Sequence, residues 1–340
     1  MNHTFLALLG CTFGISSADA ALSLLYRDEI DRVSELIMVH EYPEAEVLLD
    51  SLERRYPRNT DIRFQEMILY FTWIDDYGIA DSLGDRFMAA VDATILFGDR
   101  DTDSDPDDKW AWFFKGSAYA YRSLYRSYVE GISLGTIRGL IADANTGVNN
   151  LRRAAWIDTS FADPLIGIGK YLHWKAQKFP WPLSSSEDAD RGVRMLQEAI
   201  RRGVVADGGA VQTLGWIYMA EHRYDDAIAL VRPWMEKYPH SRFFKEIIAR
   251  AHQEKGDYGQ AETLFYEILN GLSPRERASN FVVMKYQRWV ARLRCQQGDR
   301  VAACRMAQRL RLLDYRGVHR DWLNRKLAEV DKIIREACVP

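Results

Sequence analysis

The sequence predicts an all-α protein built from stacked pairs of helices, and three observations carry that reading. Apolar residues return three and four positions apart along nearly the whole chain of 340 residues, the period of a helix with one buried face. Alternating β-branched runs, the mark of half-buried strands, are missing. The chain also matches itself at an offset of 34 residues, with Tyr224, Ala227 and Val231 in register with Tyr258, Ala261 and Phe265, and Leu214-Gly215 with Ile248-Ala249. With 47% hydrophobic residues and a formal charge of −3, the chain is neither disordered nor a wholesale nucleic-acid binder.

In chain order, residues 1–20 are expected to be a signal peptide. The run Phe5 to Ile15 is too short to span a bilayer, and Ala18-Asp19-Ala20 offers the small side chains that a signal peptidase accepts, with cleavage after Ala20. Two alternatives stay open: "LLGC" at 8–11 resembles a lipobox that would anchor an outer-membrane lipoprotein through Cys11, or the run is the uncleaved first helix of a cytosolic protein. Residues 21–340 form one solenoid. Its first clear copy covers 26–59, where Tyr42, Ala45, Leu49, Leu52 and Pro57 repeat the spacing of Tyr224, Ala227, Val231, Trp234 and Pro239. Degenerate copies fill 60–205: helices over 60–77 and 80–97, then 112–121 with 147–158, then 161–178 with 190–203. The clear copies 208–241 and 242–275 follow. A last repeat, 276–314, has an elongated first helix, and a helix within 318–337 carries Leu323, Leu327, Val330 and Ile334 on one stripe, as the cap of an array does.

Residue types fit the helix pairs. Small residues at Gly215 and Ala249 on first helices, and at Ala45, Ala227 and Ala261 on second helices, sit where axes approach closely, while Leu49, Val231 and Phe265 fill the adjoining gap. Proline at 57 and 239 stops the second helix because it cannot continue the hydrogen-bond ladder. This period and pattern resemble the tetratricopeptide repeat. The resemblance implies a right-handed α-α superhelix of about seven helix pairs with a C-terminal capping helix, first helices lining a concave side. It also implies a non-enzymatic scaffold holding a protein or peptide, here expected in the cell envelope as a periplasmic or secreted protein, with no cofactor. Some family members clamp a carboxylate tail with basic and asparagine side chains on first helices. The matching positions here are Gln212, Trp216, Glu246 and Arg250, and Trp216 and Glu246 argue against that clamp. Candidate groove residues are Tyr119, Tyr171, Trp174, Lys175, Trp216 and Arg250. One alternative is an accessory protein of outer-membrane assembly or transport; another is a helical-repeat enzyme or small-molecule carrier with its site near Trp174 and Trp181, residues that otherwise plug a gap between repeats.

Catalytic signatures are scarce. "HEYPE" at 40–44 lacks the second histidine of a zinc protease, and no phosphate loop or nucleophile elbow occurs. Asp101, Asp103 and Asp105 alternate as in a calcium loop, but Pro106 stands in place of the turn glycine, so 98–110 is read as a solvated loop with Asp105 capping the next helix. No metal site is expected. Cys295 and Cys304 lie symmetrically about the turn at 296–299 and are either a disulfide or two buried thiols. From Arg275 onward 16 Lys/Arg face 7 Asp/Glu, about +9. Arg288 and Arg292, and Arg305 and Arg309, share helix faces, either as solvated side chains or as a docking end for an acidic partner or anionic lipid.

Overall fold

The computed structural model describes residues 26–178, 185–203 and 207–338, which hold sixteen helices and no strand. The expected signal segment with Cys11 and Ala20, and Trp181, lie outside the described residues. Two compact units divide the chain. Unit 1 holds the residues up to Thr72 together with Asp85–Ile217; unit 2 holds Trp73–Gly84 together with Tyr218 onward.

In unit 1, α1 (Arg27–Met38) packs on α2 (Tyr42–Arg55), where Tyr42, Ala45, Leu49 and Leu52 are buried as the spacing predicts. Helices α3 (Thr60–Tyr77) and α4 (Ala80–Ser104) follow, except for residues 73–84, which fall in unit 2, then the pairs α5 (Lys109–Val129) with α6 (Ile137–Ile157) and α7 (Pro164–Lys178) with α8 (Ser186–Arg201). Glycines set the closeness of the last two pairs. A methyl group on Gly116 would lie 2.9 Å from the Gly147 carbonyl, and one on Gly192 would lie 2.5 Å from the Gly169 carbonyl. Only a residue without a Cβ lets these backbones meet.

Helices α9 (Asp207–Ala220) and α10 (Tyr224–Lys237) lead into unit 2, where α11 (Arg242–Lys255) packs on α12 (Tyr258–Gly271) and α14 (Asn280–Gln296) on α15 (Arg300–Arg311). The elongated first helix expected after 273 is broken into α13 (Pro274–Ala278) and α14, because Ser273 and Ser279 each cap a helix start, accepting from the Glu276 and Val282 amides. The last helix, α16 (Arg320–Ala337), lies against α14 and α15 and closes an apolar cluster of Phe281, Met284, Ala303, Leu310, Val330 and Ile333. Segment 73–84 belongs to this unit: the Gly78 carbonyl accepts from the His319 amide at 2.7 Å, and Asp76 is bonded by Arg242 and by Lys285, the latter at 2.9 Å.

One turn recurs. Two residues before each of five second helices the backbone is left-handed, at His40, Gly78, His222, Gly256 and Gly298. Where histidine takes that costly conformation, its Nδ1 shares a hydrogen bond with the tyrosine that opens the helix, 2.9 Å from Tyr42 and 2.6 Å from Tyr224.

Two expectations are corrected. Helix α4 runs on to Ser104, with Asp99 paired with Lys115 and Asp101 with Thr60 and Arg100. The cap of α5 is therefore Asp108, whose carboxylate accepts from the Trp110 and Ala111 amides, while Asp105 accepts from the Asp107 amide in the turn. The disulfide joins Cys304 to Cys338, with Cα atoms 5.1 Å apart, and not to Cys295. Packing of α16 on α15 sets the residue after its last turn beside Cys304, whereas Cys295, on the last turn of α14, is a half-buried thiol against the same apolar cluster.

Candidate functional site

Within unit 1, α5, α6 and α7 surround a cavity of about 110 Å³. Its walls follow from helical spacing. Phe113, Ser117, Ala120, Tyr121 and Leu124 recur at three- and four-residue steps on α5, Leu140, Ala144, Val148 and Leu151 on α6, and Gly167, Lys170, Tyr171 and Trp174 on α7. Large apolar side chains at these positions would fill the gap between the helices. Ala120 and Ala144 do not, while the place of a Cβ on Gly167 is taken by Leu151, whose Cδ1 would lie 2.5 Å from it.

The lining is mostly apolar, and two of its serine hydroxyls are turned toward backbone. Ser123 donates to the Leu140 carbonyl at 2.8 Å and Ser127 to the Leu124 carbonyl at 2.7 Å. Aromatic packing stiffens the wall behind: Tyr121 meets Phe71 edge-on at 5.0 Å, and Phe113 lies 5.7 Å from Phe64 and 5.6 Å from Phe161. At the α7 side the Tyr171 hydroxyl donates to Asn145 at 2.7 Å, and burial raises its pKa, with Arg152 opposing, so the phenol stays a donor. Nearby on α5 and α6, Arg122 binds Asp143 through two nitrogens at 2.7 and 3.0 Å and covers the Tyr119 ring at 4.8 Å. A site of this kind seats an apolar group and orients it by a few polar contacts at one edge.

Of the six residues singled out in the sequence, the cavity brings together Tyr171 and Trp174. Tyr119 is engaged with Arg122, and Lys175 is half-buried on α7, outside the lining. Trp216 is 3% exposed and belongs to the core. Arg250 is in unit 2, its guanidinium 3.7 Å from the Trp289 ring centroid. Sequence reasoning passed over the α5 and α6 walls, whose only signal is small residues at helical spacing on facing helices. Among the described residues no group of three or more His, Cys, Asp or Glu is placed to hold a metal ion, and no helix is long and apolar enough to cross a membrane.

The chain matches no family model, and no curated protein matches it in sequence. Solved structures do resemble it. The C-terminal part of a TPR repeat-containing protein from Cytophaga hutchinsonii is 15% identical over 84% of this chain and 95% of that one, with a TM-score of 0.42. A tetratricopeptide repeat protein from Parabacteroides merdae is 9% identical over 90% and 98%, TM-score 0.44. Yeast Tom70 is 10% identical over 92% and 81%, TM-score 0.37. It is the helix pairs themselves that define the fold, with Tyr224 opening α10 and Tyr258 opening α12 34 residues later. The chain is an all-α array of helix pairs, similar to these tetratricopeptide repeat structures. In its repeat terms the cavity is framed by the pair α5–α6 and the first helix of the next pair, α7, so it is a gap between neighbouring repeats.

Proposed function

We propose that the chain is a non-enzymatic binding module that holds a protein or peptide partner by seating one of its apolar side chains in the α5–α6–α7 cavity. The observation that carries this reading is the cavity itself: an apolar hollow between repeats, edged by Lys170, Tyr171 and Trp174, in a fold whose repeats commonly present binding surfaces. The connection between α5 and α6 adds support. Its Ile132 is 53% exposed and its Leu134 96%, apolar contact area on the hairpin whose ends contribute Ser127 and Leu140 to the cavity. Export is part of the same proposal. The Cys304–Cys338 disulfide supports an oxidising compartment, and with it the periplasmic or secreted location expected from the leader. A carrier of small apolar molecules is the second reading, favoured by the cavity's size, which approaches that of engineered hollows known to hold benzene.

Selection from a displayed peptide library tests the proposal. Peptides enriched on the native protein should share a large apolar residue and bind at least about tenfold more weakly to Ala120→Leu, which fills the hollow, and to Trp174→Ala, with both variants keeping their melting temperature. Peptides that bind the plugged protein as well as the native one overturn it. Failure to select any peptide, with indole raising the melting temperature of the native protein but not of Ala120→Leu, decides for the carrier.

A further inference from the structure

Unit 2 holds a second concentration of chemistry, independent of the cavity. Arg250 of α11 and Arg288 of α14 gather around the indole of Trp289, and Lys326 of α16 acts electrostatically on the same Arg288. The Arg250 and Arg288 guanidinium carbons lie 3.7 and 4.2 Å from the centroid of the Trp289 ring, so two like charges share one π-face environment. Phe265 of α12 stacks on the same indole at 6.3 Å and fixes its plane.

Two buried donors at this point lack an acceptor among the described residues. Arg288 is 4% exposed and Trp289 7%, and the Nε–H of the first and the Nε1–H of the second meet no acceptor among the described residues. Glu329 takes the Nη1 of Arg288, which leaves the Nε edge of the guanidinium open. Glu329 also stands 3.7 Å from Lys326, too far for a hydrogen bond to the ammonium. Each buried donor left without an acceptor carries a desolvation cost of about 1–3 kcal/mol, so native chains rarely keep two on consecutive residues without a use for them. The neighbouring Arg250 and Lys326 side chains keep 13% and 25% of their surface exposed.

We propose that Arg288, Trp289 and Lys326, flanked by Arg250, form a binding site for the carboxylate group of a small organic acid. The open Nε edge of Arg288 is the side of a guanidinium that takes two coplanar oxygens, the geometry of a carboxylate. The indole N–H and the ammonium complete the donor set. Glu246, which acts electrostatically on both Arg250 and Lys326, and Glu329 exclude a doubly charged phosphate by repulsion while leaving a single charge welcome. Burial first, then Arg288, lowers the Lys326 ammonium to about 8, with Glu329 and Glu246 opposing, and burial lowers Arg250 to about 10, with Glu246 opposing.

The test uses the indole proton as reporter. In ¹⁵N-labelled full-length protein the Trp289 side-chain N–H signal is assigned by its loss in Trp289→Phe, and sodium acetate is then exchanged for sodium chloride at constant ionic strength. A saturable downfield shift of that signal is expected, with the half-point about tenfold higher in Lys326→Met. A blocked Ala-Glu-Ala tripeptide titrated alongside separates free acids from acidic side chains, the tighter of the two naming the source. No saturation with either probe, an equal response to inorganic phosphate, or an unchanged half-point in Lys326→Met would each overturn the site. Lys326→Met keeps the length of the side chain, and both substitutions lie in unit 2, so the outcome is read separately from that of the cavity.

Discussion

At the scale of single residues, Asp61 in unit 1 is the clearest case of a side chain whose protonation is dictated by packing. It is 5% exposed, its Oδ2 meets no partner among the described residues, and Oδ1 accepts only a long bond from Gln65 at 3.3 Å. Burial, reinforced by the nearby Asp31 carboxylate, raises it from 3.8 to about 7, with Gln65 opposing. The sign follows. Between about pH 4 and 7 the folded chain keeps a proton that the unfolded chain has released, so stability falls as pH rises through that window and levels off above it. Asp61→Asn keeps the shape and removes the titration. Its stability relative to the native protein should therefore climb across the window, at up to ~1.4 kcal/mol per pH unit, and then stay constant. Paired denaturant titrations at pH 4.5, 6 and 8 check this, and a constant difference would mean that Asp61 is ionised throughout. The sequence shows Asp61 only as an acid at a helix start. Its burial comes from contacts that no local pattern records.

Among the elements, the helix pairs were largely legible, because a buried stripe and a close approach each demand particular residue types. Tyr42, Ala45 and Leu49, with Ala227, Val231, Ala261 and Phe265, are all buried at the positions their spacing assigns. The turns were legible only in hindsight. His40 and His222 occupy the left-handed position that glycine holds at 78, 256 and 298, and their hydrogen bonds to tyrosine, not their propensity, make that tolerable. Two helix starts escaped notice, at Asp108 and Ser279, since several acids or serines nearby were equally good caps by type. Glycine offers a sharper test at this scale, because its value depends wholly on what faces it. Gly192→Ala drives a methyl to 2.5 Å from the Gly169 carbonyl and 3.0 Å from the His173 amide, and should cost about 1–3 kcal/mol by forcing α7 and α8 apart. Gly259→Ala, on α12 with nothing within 4 Å, should instead add about 0.5–1 kcal/mol through helix propensity alone. Chemical denaturation of both variants decides. Equal effects would show that the α7–α8 approach is not as close as its glycines indicate.

Across the whole molecule, long-range pairings were the least legible features, because they depend on which distant helices come to lie together. Tyr171 and Trp174 stood out as an aromatic pair, yet the hollow beside them is walled equally by α5 and α6, where Ala120 and Ala144 are small. Repeat position likewise suggested Trp216 and Arg250 for a groove, but Trp216 is core and Arg250 is joined to Trp289. Much of the basic excess after Arg275 is also engaged internally, as in Lys285 with Asp76, Arg294 with Glu262 and Arg311 with Asp331, although Arg305 and Arg309 stand exposed on α15. Symmetry about a turn pointed to Cys295 as the partner of Cys304; the return of α16 made it Cys338. That pairing has consequences that can be separated by mutation. Its bond closes a sequence separation of 34, and constraining a loop of that size removes enough unfolded-chain entropy to stabilise unit 2 by about 3–4 kcal/mol. Cys304→Ala and Cys338→Ala should each lower the melting temperature by the same amount, the double variant no further, and reductant should then have no effect. Cys295→Ala should leave the response to reductant intact, whereas its loss in that variant would restore the pairing that symmetry suggests.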